Sequence, residues 1–404
     1  MNYVKFNLLA MQHLLAMFGA TVLVPFITHM DTSIALLSAG IGTLIFHLFT
    51  KGVVPVFLGS SFAFIPVILL TLQNYDHAHL KGGIISAGLV YIAIAFMIKL
   101  YGNDKISKLF PSIVLGPIIM AIGLRLTPIA LSMAGYSNDN MDYKSLFLAF
   151  VALFVMIFVS FIQKSFFRFI PILVSIIVSY LVALYLGMVD LSAVKNSPWF
   201  GLSDGAINTI LTMPQFSVSV IFLVAPIALV TFVEHIGDIN TNGSVVGKDF
   251  VKNPGLHRTL LGDGLATLFA GLIGGPANTT YSENTAVLAS TKVYNPVLLR
   301  LTALFAILIA LVAKISILIT TLPTPIMGGI SLILFGLIFS IGLKNMMKDN
   351  LNFNNYKNLI IPACVISVGV FVNSIKITDN LVISGLFLAT VLGVVLNKVL
   401  PDMD

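Results

Sequence analysis

The sequence predicts an all-α polytopic membrane protein with 14 transmembrane segments arranged as a 7+7 inverted repeat. Three observations lead there. Of 404 residues, 58% are hydrophobic and only 9% charged, with a mean hydropathy of +1.02. A soluble globular chain carries about 25% charged residues, so these few cannot build a water-facing surface. Apolar runs of roughly the 20 residues needed to span a bilayer recur along the whole chain. Finally, a short motif of the first half returns in the second with its flanking charge reversed.

The segments are 7–28, 32–50, 58–74, 82–101, 111–134, 144–163, 168–188, 215–238, 258–275, 278–292, 295–319, 324–343, 356–373 and 380–400. The first lies in "MNYVKFNLLAMQHLLAMFGATVLVPFI". That stretch is too long for a signal peptide and lacks a small-residue cleavage site, so it reads as a retained spanning helix. Segments 58–74 and 278–292 are short and polar, and hydropathy alone would not count them. The basic residues argue for both. With the N-terminus inside, Lys5, Lys51, Lys99, Lys105, Lys108, Lys164, Arg168, Lys248, Lys252, Arg258, Lys292, Arg300, Lys344, Lys348, Lys357 and Lys398 are cytoplasmic. Only Lys81, Arg125, Lys144, Lys195, Lys314 and Lys376 are outside. This is the positive-inside bias of a membrane protein, and omitting one short segment would spoil it. Both termini are then cytoplasmic, and the net charge of +6 needs no nucleic acid to explain it.

The recurring motif is "LFPSIVLGPI" from Leu109 and "TLPTPIMGGI" from Thr321, with Pro111 matching Pro323 and Gly116 matching Gly328. Lys99, Lys105 and Lys108 precede the first copy, and Lys344 follows the second. The copies therefore enter the membrane from opposite sides, although Arg125 sits against the pattern and chance recurrence is the competing reading. Seven helices per half produce such an inversion, which is a transporter architecture with its site at the midplane in broken helices. Segments 3 and 10 correspond across the halves. They read "VFLGSSFAFIP" and "GGPANTTYSENTAV", with Gly, Pro and hydroxyl residues where a helix should begin. Non-helical backbone at membrane depth is tolerated only when buried in protein or lining a cavity. Free N–H groups there, with the N-terminus of the following half-helix, suit carbonyl oxygens or anions.

Glu283 lies in the second polar stretch. A carboxylate at the bilayer centre costs about 2.5–3.5 kcal/mol on insertion scales, which makes it a functional candidate against a structural acid paired with Lys or backbone. Glu234 and Asp238 in "VIFLVAPIALVTFVEHIGD" are four apart and share a helix face below Pro226. The competing reading makes Glu234, His235 and Asp238 a polar helix end, with Lys248 soon after. Phe62 offers an aromatic face beside extended backbone, although packing explains most of the 30 Phe. Tyr281 adjoins the polar break. His13 reads as a hydrogen-bonded core histidine, and Arg125 and Lys314 as side chains reaching the outer interface. The single cysteine, Cys364, excludes an intrachain disulfide and offers no metal cluster. No phosphate loop, zinc spacing or hydrolase elbow marks an enzyme, and no cofactor is implied.

"QHLLAMFGATVLVPF", "LGSSFAFIP", "FVEHIGD", "NPGLHR" and "NTTYSENTAVLASTKVY" occur in that order. From about residue 8 to residue 400 the chain resembles the nucleobase–ascorbate transporter family, and within it the bacterial members that carry uracil. The resemblance implies short antiparallel β-strands in segments 3 and 10. It implies a core domain from 1–104 (segments 1–4) and 214–321 (segments 8–11), and a gate domain from 105–213 (segments 5–7) and 322–404 (segments 12–14). It implies a secondary active transporter of the bacterial cytoplasmic membrane that couples uracil uptake to protons by alternating access. By position, Glu234 corresponds to the glutamate that binds the pyrimidine and Glu283 to the signature glutamate. Phe62 and Tyr281 correspond to substrate-site aromatics, and Phe335 to a gate aromatic.

Uracil presents N–H donors flanked by carbonyls, which two carboxylates and backbone N–H groups would match, and a site that pairs polar groups rejects analogues lacking them. Three residues depart from the pattern. Asp238 stands where a uracil carrier has histidine and purine carriers have aspartate. Ser282 replaces a glycine whose backbone touches substrate, and Ala286 replaces the signature glycine. Glu283–Asn284 is the uracil-type form. Xanthine or another purine is the alternative substrate, and an anion transporter or channel would instead want basic residues at the breaks. Burial disfavours the charged form of a carboxyl group, so Glu234 or Asp238 is expected to carry the coupled proton. The expected partners are uracil, protons and the lipid bilayer, with a homodimer as one expectation for assembly.

Overall fold

The computed structural model describes residues 3–102, 111–137, 141–162, 166–347, 351–378 and 381–401. Lys105, Lys108, Lys164 and Lys348, the first two residues of the 109–118 motif and the expected 104/105 domain boundary lie outside the described residues.

The chain begins with α1 (Tyr3–Thr28) and α2 (Thr32–Phe49). Asp31 caps α2, its carboxylate accepting from Ile34 N–H at 3.1 Å. Strand β1 (Leu58–Ser60) then leads through a 3₁₀ turn, Phe62–Phe64, into α3 (Ile65–Asn74). Next come α4 (His77–Tyr101), α5 (Ser112–Met133), α6 (Tyr143–Phe161) and α7 (Pro171–Tyr185). Two short helices, α8 (Ser192–Asn196) and α9 (Asp204–Leu211), join the halves. α10 (Val218–Val224) and α11 (Ile227–Val246) follow, interrupted at Pro226, where the ring removes a helical donor. After α12 (Leu256–Ile273), β2 (Asn278–Thr280) leads into α13 (Ser282–Thr291). Then come α14 (Pro296–Ala310), α15 (Ala313–Thr320), α16 (Thr324–Met347) and α17 (Tyr356–Phe371). Strands β3 (Ser374–Thr378) and β4 (Leu381–Ser384) form a hairpin before α18 (Gly385–Val399).

Seven spans are long and apolar enough to cross a bilayer among the described residues: α1, α2, α4, α5, α6, α10 with α11, and α16. The other predicted segments are shorter, broken or more polar helices. Segment 295–319 is not one helix, because α14 and α15 meet at a 76° bend. There the Leu311 carbonyl accepts from Gly201 N–H at 2.9 Å, so a loop replaces the helical donor. Segment 380–400 opens as β4 rather than helix, Ile375 pairing with Ile383 and Thr378 with Leu381, in a strand rich in β-branched residues. Arg125 does not reach out to the interface. Its guanidinium donates to the carbonyls of Gly369 (3.1 Å), Val372 (2.8 Å) and Asn373 (2.8 Å), capping the end of α17. The Lys314 ammonium stands 4.7 Å from the centre of the Trp199 ring.

The helices pack in two groups. In one, α12 lies on α2 and α4, and α14 lies on α1 and α2. In the other, α16 lies on α5 and α6, and α17 on α5 and α18. The two motif glycines serve one crossing from opposite ends. A Cβ on Gly116 would fall 2.8 Å from Gly342 O of α16, and one on Gly328 would fall 2.4 Å from Ala134 N beyond α5. The two helices thus run antiparallel at close approach. Away from these contacts, Phe150, Phe154 and Phe158 stack along an exposed face of α6 with ring centres 6.2 Å apart, an apolar surface suited to lipid.

A second correspondence joins the halves. β1 and β2 pair antiparallel, Leu58 with Thr280, Gly59 with Thr279 and Ser60 with Asn278. Each strand has an outer edge that would be unsatisfied in an apolar interior. Thr43 of α2 covers one, accepting from Leu58 N–H at 2.9 Å and donating to Leu58 O at 3.4 Å. Thr267 of α12 covers the other, accepting from Asn278 N–H at 3.2 Å and donating to Asn278 O at 3.2 Å. Gly59 is required between the strands, since a Cβ there would fall 2.4 Å from the Tyr281 ring.

Replacing either threonine by valine keeps its shape and strands a backbone N–H. Thr43→Val and Thr267→Val should each destabilise the fold by about 1–3 kcal/mol. Thermal unfolding of the purified variants in detergent checks this. An unchanged midpoint in either would show that the hydroxyl does not carry its strand edge.

Candidate functional site

The strand ladder continues beyond β1 and β2. Ser61 N–H donates to Ala277 O at 2.9 Å, and Tyr281 N–H donates to Phe57 O at 3.0 Å. The Tyr281 hydroxyl donates to Ser60 O at 3.0 Å, fastening its ring over Gly59. Asn278 donates to Ser38 O and Ala266 O, both at 3.2 Å, tying β2 to α2 and α12. The helical turns that follow the strands begin without side-chain caps, at Ser61 and Tyr281. The Glu283 carboxylate accepts from its own backbone N–H, and the neighbouring first-turn N–H groups have no side-chain cap.

A cavity of about 380 Å³ opens beside this ladder, between α11, α13 and α16. Phe62, Glu234, Asp238, Tyr281, Ser282 and Glu283 all line it. The facing wall is apolar, formed by Leu334, Leu337, Ile338 and Ile341 of α16. Phe335 does not line it. That ring is fully buried and meets Phe62 edge-on, with centres 6.5 Å apart. The acids come from two separate elements, Glu234 and Asp238 from α11 and Glu283 from the first turn of α13. Glu234 and Glu283 are close enough for their charges to act on each other, as are Glu234 and Asp238. Asp238 belongs to the cavity rather than to a solvated helix end, and its carboxylate accepts from the Thr280 hydroxyl at 2.8 Å.

The scaffold behind the cavity is polar and buried. The Asn284 amide donates to His13 O at 3.0 Å and stands 3.2 Å from His13 Nδ1, joining α13 to α1. Asn242 of α11 donates to Pro55 O at 3.0 Å and to the Thr285 hydroxyl at 3.1 Å. His235, adjacent to Glu234, turns away from the cavity. Its Nδ1 stands 2.8 Å from Asp263 Oδ2 and its Nε2 2.9 Å from Thr259 Oγ1, with both side chains of the pair fully buried. The Tyr91 hydroxyl bonds the Thr231 hydroxyl one turn before. α11 is thereby fixed to α4 and α12.

Sequence reasoning missed four of these residues. Thr279 and Thr280 line the cavity, and the Thr279 hydroxyl has no hydrogen-bond partner among the described residues. Two adjacent threonines ahead of an intramembrane acid were the available signal. Asp263 was the other intramembrane carboxylate, inside an apolar run, and Asn242 followed Asp238 by one turn. A larger cleft, about 810 Å³, lies elsewhere, between the ends of α1 and α5 and residues 320–324. His29 is its one titratable side chain, so the chemistry points to the smaller cavity. Among the described residues no three His, Cys, Asp or Glu side chains are grouped to hold a metal ion.

The family profile described as "Permease family" matches residues 5–377. The chain is 43% identical over 396 residues to the uracil permease of Bacillus caldolyticus, covering 97% of this chain and 91% of that one. It is 40% identical over 408 residues to the uracil permease of Bacillus subtilis (strain 168), covering 99% and 93%. Among solved structures, the transmembrane domain of the cyanobacterium bicarbonate transporter BicA superposes with a TM-score of 0.70 at 16% identity, covering 97% and 98%. That likeness speaks for the fold alone.

The His235–Asp263 contact yields a stability test. Removing one partner of a buried pair costs about 3–5 kcal/mol, whereas replacing both by apolar groups is often neutral. Asp263→Leu alone should lower the thermal midpoint sharply, and His235→Leu with Asp263→Leu should recover much of the loss. A double-mutant cycle with no coupling would refute the pairing.

Proposed function

Because the chain belongs to the nucleobase–ascorbate transporter family and is a multi-pass membrane protein, we propose that it imports uracil together with protons by alternating access. The observation that carries this reading is the cavity itself. Two glutamates from separate helices, Glu234 and Glu283, converge on a space bounded by a broken-helix pair and an aromatic ring. A uracil ring edge offers N–H donors between carbonyl acceptors. Glu234 and Glu283 accept from the N–H groups, uncapped N–H groups at the starts of the half-helices donate to the carbonyls, and Phe62 covers the ring face. The Thr279 hydroxyl supplies a further polar contact. Tyr281 and Ser282 complete the binding wall, and Phe335 braces Phe62 from the moving side.

The mechanism follows from the two packing groups. Fourteen crossings in two inverted halves of seven place β1, β2 and the acids in a core domain. α5 to α7 and α16 to α18 form the gate domain that slides against it. The cavity meets the middle of α11 at Glu234 and Asp238 and, on α16, the half that ends at Lys344, the basic and hence cytoplasmic side. The conformation is thus inward-facing, with the apolar wall of α16 as the sliding surface. Glu234, with Asp238 one turn away, takes up a proton outside and releases it inside. An anion carrier of the same fold is disfavoured, because acids occupy the breaks. Xanthine is the runner-up substrate, favoured only by Asp238.

Proteoliposomes given an inward proton gradient test the proposal. Labelled uracil should accumulate, with unlabelled uracil competing and xanthine not. Xanthine accumulation without uracil accumulation would instead assign specificity to Asp238. Glu234→Gln should reduce gradient-driven uptake at least about tenfold, since a hydrogen bond to a charged group contributes about 1.5–3 kcal/mol; full accumulation by that variant would remove Glu234 from the mechanism. Thr279→Val should raise the half-saturating uracil concentration about tenfold and Thr279→Ser restore it, as for loss of one hydrogen bond of about 1–1.5 kcal/mol. An unchanged half-saturation in Thr279→Val would exclude the contact.

A further inference from the structure

A second cleft, of about 340 Å³, lies where the ends of α2, α4 and α12 meet, and it shares no residue with the substrate cavity. We propose that it binds an acidic glycerophospholipid. The phosphate would sit among Lys99, His257 and Arg258, and an acyl chain along Phe49, Phe96 and Leu261.

Two features of the cleft select this ligand over a soluble anion. The first is converging positive charge. Lys99 comes from the end of α4, and His257 and Arg258 come from the first turn of α12, yet all three line one cleft. The charges of Arg258 and Lys99 both bear on His257. Among the described residues no carboxylate lies at ion-pair distance from Lys99 or Arg258. Cations gathered without an acid repel one another, and an anion between them relieves that repulsion. Arg258 is also held in place. One guanidinium nitrogen donates to Phe49 O at 3.3 Å, at the end of α2, leaving further donors of its planar fork for a phosphate.

The second feature is the apolar wall that continues from the cations onto the outer surface. Phe96 is 55% exposed, and beside it Leu100 is 76% and Tyr101 59% exposed. A phosphate alone would leave that surface bare, whereas a phospholipid covers both parts. The position agrees, because the cleft is at the basic end of the helices, where headgroups of the cytoplasmic leaflet lie. Basic pockets between helices on that side suit acidic lipid headgroups.

The test uses the full-length protein in nanodiscs of phosphatidylcholine alone or of equimolar phosphatidylcholine and phosphatidylglycerol. Native mass spectrometry then counts the lipid retained. The wild type should keep phosphatidylglycerol in preference to phosphatidylcholine, and phosphatidylglycerol should raise its thermal midpoint where inorganic phosphate does not. Lys99→Gln and Arg258→Gln should each weaken retention roughly fivefold, following the attraction of one cation near an anionic surface. Lys99→Arg should retain lipid as the wild type does, separating charge from folding. Equal phosphatidylglycerol retention by wild type and the Lys99→Gln/Arg258→Gln variant would overturn the proposal. So would a midpoint raised as far by inorganic phosphate as by phosphatidylglycerol, which would make the cleft a soluble-anion site.

Discussion

A backbone N–H or C=O left unpaired in an apolar interior costs several kcal/mol, and the architecture around the cavity answers that constraint. A helix can begin in mid-protein only if the extended residues before it find partners. β1 and β2 find one another on one side and a threonine each on the other, Thr43 and Thr267. The ladder carries on through Ser61 with Ala277 and Tyr281 with Phe57. With the strand edges satisfied, the N–H groups at the starts of the two half-helices are left without a side-chain cap, apart from that of Glu283, which its own carboxylate accepts. A polar ligand is the natural partner for them, so the same saturation that makes the break tolerable also aims its remaining donors at the cavity.

The acids are held by a different device. α11 carries Glu234 and Asp238 toward the cavity and His235 away from it, where Asp263 and Thr259 receive the imidazole. Asn242 ties the next turn to Pro55 and Thr285. A helix anchored to its neighbours by buried polar contacts resists rotation, which holds Glu234 and Asp238 at the cavity. α13 is anchored likewise through Asn284 to His13. Facing these braced elements, α16 offers only apolar side chains, a surface that can slide without breaking hydrogen bonds. Polar bracing on one side and an apolar wall on the other is the arrangement that the proposed sliding of α16 past the cavity would need.

Much of this was legible from residue types. Hydropathy located the seven spans that are long and apolar enough to cross a bilayer among the described residues, and the oddity of Glu283 among hydroxyls located the break. The i, i+4 spacing of Glu234 and Asp238 put them on one face, where the cavity has them. Other features left no local trace. The bend between α14 and α15 depends on Gly201, more than a hundred residues earlier in the chain. Arg125 reads as an interface anchor until the carbonyls at the end of α17 are seen around it. The β3–β4 hairpin is too apolar at its second strand to be told from a helix start. Asp263 was passed over because its partner, His235, looked like part of a helix end. Apart from the hairpin, these misses concern a partner brought from another segment of the chain, which no pattern of spacing within one segment can reveal.

The strand pair joins Leu58 to Thr280, about 220 residues apart in the chain. Contacts so distant form late, after the entropy of closing a long loop has been overcome. During synthesis β1 and the turn before α3 must wait, unpaired on one edge, until α12 and β2 have been made. Thr43, only 15 residues from Leu58, can cover one edge from the start. The other stays open until the second half of the chain arrives. The third segment therefore stays open on that edge through the synthesis of α4 to α12, and its completion is tied to the arrival of the second half of the chain.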